Sequence, residues 1–451
     1  MKLCLEIAAR HSKFYSTHRL NISKNIFYNL LSQLPQILSG LIVSIFSTRI
    51  LGPEGKGVFG VLTSDILLFG LIMNLGIQMA TGYFISSKQT EPRKILGVGI
   101  YHWMINLILL GGAFGVLYQI QPVNILIPRM GAQWLPYAYV FASFSLNYMN
   151  TLLNAIFIGS KKFRYINQSL ILKAFSDIVF FSILYYLHLQ SELGMQEVMG
   201  AFFLVIALQS LFWIISYMKE FGEAPQMNKG VIAQVSMLLG FSLIGYLSNL
   251  LNFLNYRLDL WVVEYFTTID QVGFYVFAVN LTQMMWLISD PIAGILKPNL
   301  ADPDVKDRVS IFSAFQRANA TIILIISLIA WLIADLLITL LYGSEFSASI
   351  LPFKILLIGN FFACSSKVFA VYNVVTNNIK FNLQATAFGL MLTVIFDLLF
   401  IPENGIIGTA WASNIAYFGT FAYLVLVCRF KLDLKINNLF LFTKKDLQFL
   451  Q

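Results

Sequence analysis

Apolar residues run through the chain in stretches of about twenty, each bounded by short polar segments carrying Lys, Arg, Gly or Pro. A helix needs about 20 apolar residues to cross a hydrocarbon core of ~30 Å. The pattern predicts twelve membrane helices, at 25–48, 57–84, 95–119, 134–158, 167–188, 196–218, 232–257, 272–296, 316–341, 349–374, 380–402 and 406–428. The connections are short, the longest being about 20 residues around Asp302–Arg308 and about 14 around Arg129. Pro35, Pro291 and Pro352 fall inside predicted helices, where a proline removes a backbone donor and predicts a kink or hinge.

Composition turns this pattern into a class. Of 451 residues, 58% are hydrophobic and only 12% charged, with mean hydropathy +0.73. An ordinary soluble domain is ~25% charged, so a string of soluble domains is excluded. The expected organisation is a cytoplasmic N-terminal segment (1–24), an N-lobe of six helices (25–218), a cytoplasmic linker (219–231), a C-lobe of six helices (232–428) and a cytoplasmic tail (429–451). Cys4, Cys364 and Cys428 are scattered and odd in number, which predicts neither a disulfide framework nor a zinc site. The four histidines are too dispersed for a short metal motif. The polar, basic stretch before residue 25 lacks an apolar core, so the first membrane helix is expected to serve as the targeting signal.

The net charge of +8 would suggest nucleic acid in a soluble protein. Here the basic residues alternate with membrane segments, which points to topology instead. With the N-terminus inside, cytoplasmic segments hold 23 Lys and Arg, and outside loops hold four: Arg49, Lys56, Arg129 and Arg257. That asymmetry predicts both termini in the cytoplasm.

The halves resemble each other at an offset of 216. Glu54, Gly57 and Phe59 match Asp270, Gly273 and Tyr275; Ser32, Gln33 and Gln36 match Ser248, Asn249 and Asn252; Leu135-Pro136 matches Leu351-Pro352. Polar residues in register inside apolar helices predict two six-helix lobes related as parallel repeats, an arrangement that puts a transport site between the halves.

In the first helix Asn25, Asn29, Ser32, Gln33, Gln36 and Ser39 recur at steps of three and four, and so share a face. In the seventh, Ser242, Gly245, Ser248, Asn249, Asn252 and Asn255 do the same. Such stripes either hydrogen-bond between helices or wall a central cavity; their matched positions favour the cavity. Charged residues at membrane depth are functional candidates by default. Lys173 and Asp177, four apart, can pair with each other. Lys367 has no carboxylate three or four residues away, which makes it a cavity candidate. Asp65 and Asp290 are candidate ion-coupling sites, whereas Lys354, Asp335 and Asp397 lie near the outer boundary and are expected to snorkel to water. Gly52-Pro-Glu-Gly-Lys56-Gly57 lacks the spacing of a phosphate loop, and Asp302-Pro-Asp304 has no nucleotide-binding domain around it.

Thr48-Arg-Ile-Leu-Gly-Pro-Glu-Gly-Lys-Gly-Val-Phe59, Thr268-Ile-Asp-Gln-Val-Gly-Phe-Tyr275, Ile158-Gly-Ser-Lys-Lys-Phe163, Leu341-Tyr-Gly343 and Asn404-Gly-Ile-Ile-Gly-Thr-Ala410 give the whole chain a resemblance to polysaccharide biosynthesis proteins of the oligosaccharide flippase type. These share a superfamily with multidrug antiporters and lipid II flippases. The resemblance implies an all-α, V-shaped, two-lobed transporter of a bacterial inner membrane with a central cavity, working by alternating access. It implies a polyprenyl-pyrophosphate-linked oligosaccharide as cargo, for a surface polysaccharide such as the O-antigen of lipopolysaccharide. On that reading Asn29, Gln33, Gln36, Asn249, Asn252, Lys173 and Lys367 line the substrate cavity, and H+ or Na+ couples at Asp65 or Asp290. No cofactor, metal, nucleic acid or enzymatic activity is implied. Three lysines against five aspartates within the predicted helices depart from a strongly cationic lumen.

Three other functions are weighed. Cation-coupled multidrug antiporters commonly carry a carboxylate in the first or seventh helix, and 25–48 and 232–257 contain none. Lipid II flippases usually have about fourteen helices and several membrane arginines, and no arginine falls at membrane centre in the predicted helices. Polysaccharide polymerases and ligases need a large outside loop, and the outside loops here are short.

Overall fold

The computed structural model describes residues 22–120, 134–222, 224–226, 231–301, 307–431 and 439, with side chains described except at 22–34, 120, 231–245, 298, 301 and 431. Every regular element among them is helical: α1 (Ile22–Asn74), α2 (Ile77–Ser86), α3 (Pro92–Ile120), α4 (Leu135–Gly159), α5 (Phe163–His188), α6 (Met195–Phe221), α7 (Val231–Phe266), α8 (Ile269–Gln283), α9 (Trp286–Ala301), α10 (Arg308–Tyr342), a 3-10 turn (Ser344–Ser349), α11 (Ile350–Val375) and α12 (Ile379–Lys431). Two of these fold back on themselves. α1 reverses at Gly52 (φ 63°) and α12 at Gly405 (φ 53°), backbone conformations that glycine adopts without a Cβ clash. Counted as passes between the two ends of the bundle, α1 and α12 contribute two each, α2 completes the second pass and α9 completes that begun by α8, giving the twelve expected.

One end of the bundle carries the Gly52 and Gly405 turns and is called here the hairpin end. The other, the basic end, carries Lys88, Arg93, Lys94, Lys161, Lys162, Arg164, Lys219, Lys380 and Arg429. Large apolar side chains cover the perimeter: Ile108 is 75% exposed, and Leu332, Leu336 and Leu340 are exposed along one face of α10. Such a belt suits hydrocarbon, and eight helical stretches are long and apolar enough to cross a membrane. The chain is a multi-pass membrane protein.

α1–α6 and α7–α12 enclose separate apolar cores. Leu62, Phe144, Leu152, Phe157 and Trp213 pack in the first, and Leu260, Phe277, Phe346 and Leu357 in the second. Val61 of the first half inserts into the core of the second. The lobes meet where a residue touches its own repeat mate. A Cβ on Gly57 would lie 3.0 Å from the nitrogen of Gly273, and one on Gly60 would lie 2.7 Å from Val276 Cγ1. Both pairs are separated by 216 residues, so the axis relating the repeats runs between them.

Three sequence expectations change. The second and eighth membrane segments are each broken, at Leu75-Gly76 (φ 47° and 77°) and at Met284-Met285. In both lobes an asparagine caps the break: Asn106 Nδ2 donates to Met73 O at 2.9 Å, and Asn360 Nδ2 to Thr282 O at 3.3 Å. The seventh helix does not stop at Arg257 but continues to Phe266, because Leu258, Leu260, Val262 and Val263 prolong its apolar pattern past the charge. Pro352 sits in the first turn of α11, where no helical N–H bond is lost, so it makes no hinge.

Candidate functional site

Two chambers lie between the lobes and meet at Phe59, Thr63 and Phe202. The one nearer the hairpin end encloses about 260 Å³ and is lined by Ser44, Ser47, Lys56 and Gly60 from α1 and by Arg257, Val276 and Asn280 from the other lobe. The deeper one encloses about 540 Å³ and is lined by Asn74, Gln78, Tyr139, Asn147, Tyr148, Thr151, Lys173 and Asp177 of the first lobe, with Asn249 and Phe253 of the second. From Lys56 to Gln78 the second pass of α1 and its continuation α2 run beside both chambers. Those 23 residues, 22 helical steps, span about 33 Å of axis, comparable with the bilayer core.

The hairpin-end chamber has a cationic wall. Lys56 is only 7% exposed and donates to Ser47 Oγ at 3.4 Å. Arg257 donates through Nη2 to Asn280 Oδ1 at 3.4 Å and Gln283 Oε1 at 3.3 Å. Neither forms an ion pair among the described residues. These cations face the same space from opposite lobes, and both correct the sequence reading, which placed them in outside loops and found a lumen poor in positive charge. A lysine or arginine close to a predicted helix end reads as loop; only the resumed periodicity after each, Val58 to Leu62 and Leu258 to Val263, signalled that the helix runs through it.

The deeper chamber is polar and aromatic. Lys173 Nζ lies 2.7 Å from Asp177 Oδ2, one turn apart on α5, and both line the space. Asn74 and Gln78 flank the break in the second pass, and the Asn74 Oδ1 atom is buried without a hydrogen-bond partner. Phe59 stacks on Phe202 at 4.7 Å where the chambers join. Tyr148 is held from behind by His102, with 2.9 Å between its hydroxyl and Nδ1.

The expected polar stripes are brought only partly to this space. Asn249 lines the deeper chamber. Asn252 instead accepts from Thr386 Oγ1 at 3.2 Å, and Asn255 from Thr393 Oγ1 at 2.9 Å, both on α12. Gln36 is half-buried one turn before Gly40, a chamber residue on the same face. Asn29 and Gln33 lie outside the described side chains, as do Asn25, Ser32 and Ser242; Asp302 to Asp304 lie outside the described residues.

Most of the remaining charged candidates have partners from neighbouring helices that spacing along one helix does not reveal. Lys367 Nζ lies 2.6 Å from Asp290 Oδ1 on α9 and 4.2 Å from the centre of the Trp286 ring, so two separate candidates form one pair. Lys354 pairs with Asp335 at 2.6 Å. Asp397 does not snorkel. It is fully buried with neither carboxylate oxygen hydrogen-bonded, in the interior that also holds Asp259, which accepts from Tyr275 Oη and from Ser413 Oγ at 3.3 Å. Asp65 is likewise fully buried, with Oδ1 accepting from Trp261 Nε1 of the other lobe at 3.2 Å and Oδ2 unpartnered.

The sequence profile of the family described as polysaccharide biosynthesis protein matches residues 22–302. The chain belongs to this family. No curated protein matches it significantly. Among solved structures it is similar to a lipid II flippase MurJ in an inward closed conformation, with TM-score 0.74 and 13% identity over 94% of this chain and 89% of that one. It is similar to an inward-facing multidrug resistance MATE family transporter of the MOP superfamily (TM-score 0.67, 14% identity, 90% and 97% coverage) and to an outward-facing one (0.59, 14%, 92% and 95%). These likenesses establish the all-helical, two-lobed fold that the chain shares with them.

Proposed function

We propose that this family member is a flippase carrying a polyprenyl-pyrophosphate-linked oligosaccharide across a bacterial inner membrane by alternating access, with the basic end in the cytoplasm. The observation that carries the reading is a pair of cations, buried Lys56 and half-buried Arg257, reaching one inter-lobe chamber from opposite lobes beside a larger chamber of amides, hydroxyls and aromatic rings. A diphosphate cannot enter hydrocarbon without replacement partners. Two cations with no carboxylate at ion-pair distance among the described residues, Arg257 being attracted at longer range by Asp259, supply charge-assisted hydrogen bonds to it, and the polar-aromatic chamber offers amide contacts and ring faces to sugar. Lys173 lines the larger chamber, partly neutralised by Asp177. The polyprenyl tail stays in the bilayer.

The alternative, a cation-coupled multidrug antiporter, fits the fold but not the sign of the chamber, since Lys56 and Arg257 repel a cationic drug. The deciding experiment is complementation of a strain lacking its own flippase, with surface polysaccharide, cytoplasmic lipid-linked intermediate and protein abundance measured together. Wild type restores export. Lys56→Gln and Arg257→Gln are expected to lose it at near-normal abundance while the intermediate accumulates. Drug resistance without restored export would favour the antiporter.

For ion coupling, Asp65 remains the better placed of the two candidates, because Asp290 is already engaged by Lys367. The buried Asp259 and Asp397 are a second place for H+ or Na+. In proteoliposomes, Asp65→Asn or Asp397→Asn should remove the response to an imposed ion gradient while leaving gradient-free exchange of the lipid. An unchanged response in both variants would count against coupling at these sites.

A further inference from the structure

Arg49 lies at the hairpin end of the first arm of α1, exposed to solvent. Its guanidinium reaches across to the other lobe. Nε donates to Leu341 O and Nη2 to Leu340 O, each at 2.7 Å. Those carbonyls belong to the last turn of α10, which Gly343 terminates (φ 104°), so the helix has no further N–H groups to satisfy them. A cation there also meets the negative end of the helix dipole. From its own lobe Arg49 is steadied by Tyr185, whose hydroxyl accepts from Nη1 at 3.2 Å and whose ring stacks on Phe46 at 4.5 Å with 1° between planes. Ser44 and Tyr342 make a second, weaker inter-lobe contact at the same level, 3.5 Å between hydroxyl oxygens.

We propose that Arg49 and the last carbonyls of α10 form a releasable latch that holds the lobes together at the hairpin end, and that opening the cavity on that side requires this fork to let go. The arrangement suits a gate. The bonds are charge-assisted but bathed in water, which replaces them when the lobes part, so the closed state gains a modest rather than a prohibitive advantage. Lysine cannot replace the arginine, because one ammonium does not present two parallel donors to two adjacent carbonyls. The latch depends on the lobes moving against each other and not on what is carried.

The test uses full-length protein in nanodiscs with Cys4→Ser, the buried Cys364 and Cys428 retained, and spin labels at Glu54→Cys and Ala348→Cys, exposed positions on opposite lobes at this end. Inter-lobe distances are read by pulsed electron resonance without substrate. Arg49→Ala should raise the population with separated labels about ten-fold relative to wild type, the scale of one lost charge-assisted bond. Arg49→Lys should restore closure only in part, and Tyr185→Phe should shift the distribution less in the same direction. Lys219→Ala, at the basic end, should leave it unchanged. A wild-type distribution in folded Arg49→Ala protein would overturn the latch, as would full rescue by lysine. A shifted distribution in a protein that exports no polysaccharide would support the latch while counting against the proposed cargo.

Discussion

Single charged residues decide what the cavity can hold, and their surroundings change the weight each deserves. Lys367 looks free along its own helix, yet Asp290 on the neighbouring helix takes its charge. Arg257 looks like a loop residue, yet it faces the chamber with amide oxygens as its hydrogen-bond partners. Arg257→Gln is therefore expected to reduce export at least ten-fold, since a charge-assisted bond to phosphate is worth about 1.5–3 kcal/mol. Lys367→Gln should reduce it less, and Lys367→Gln combined with Asp290→Asn should recover part of that loss if the two act as a pair. Surface polysaccharide normalised to protein abundance reads both. Equal losses for Arg257→Gln and Lys367→Gln would put Lys367 back in the binding wall.

At the scale of elements, the inter-lobe contact depends on glycine where repeat-related helices cross. A Cβ on Gly57 would come 2.2 Å from Ile269 O, and one on Gly273 1.9 Å from Pro53 O. Backbone on both sides leaves no flexible side chain to give way. Gly57→Ala or Gly273→Ala should cost about 1–3 kcal/mol of overpacking, relieved by spreading the lobes; thermal unfolding in detergent and label distances at the hairpin end both report it. Gly40→Ala, where a Cβ meets nothing within 4 Å, is the matched control. Helix α10 begins with a cap that responds to pH. Asp307 accepts from Ser310 N at 3.0 Å and from Ser310 Oγ at 2.6 Å, and these bonds, the hydroxyl's foremost, hold its carboxyl below the ordinary carboxylate value. The folded value is the lower one, so the stabilisation is complete above the unfolded value of about 3.9 and is lost as pH falls through the folded one. Asp307→Ala should lower stability by about 1 kcal/mol at neutral pH, and the difference from wild type should disappear in strong acid. A difference that persists there would assign the effect to something other than the ionised cap.

For the whole molecule, orientation is the property most directly open to test. Lys56 is unsuitable for labelling because it is buried in the chamber. Glu54, exposed at the hairpin end, and Lys162, at the basic end, serve instead. An impermeant thiol reagent applied to intact cells should modify Glu54→Cys and spare Lys162→Cys. The reverse pattern would invert the protein in the membrane and put the proposed loading side outside. With Lys56 and Arg257 in the chamber, the sequence count expected for the outside loops falls to Arg49 and Arg129, which sharpens the expected charge asymmetry.

The class of protein and the number of passes were legible in the sequence because each pass repeats one strong physical requirement, about twenty apolar residues in a row. The pseudo-repeat was legible for a related reason. Gly57 and Gly273 recur because the same close crossing must be made from both sides of one axis. The membrane favours no particular partner among twelve helices, so partnership was not legible: that Asn252 turns to Thr386 while Asn249 turns to the cavity, or that Asp290 meets Lys367, depends on rotations of a helix about its axis that apolar periodicity leaves loose. The same holds for depth. A charge next to a turn is harmless in a loop and decisive in a lumen, and only the packed lobes show that Lys56 and Arg257 lie within, facing one another across a space that neither half of the chain encloses alone.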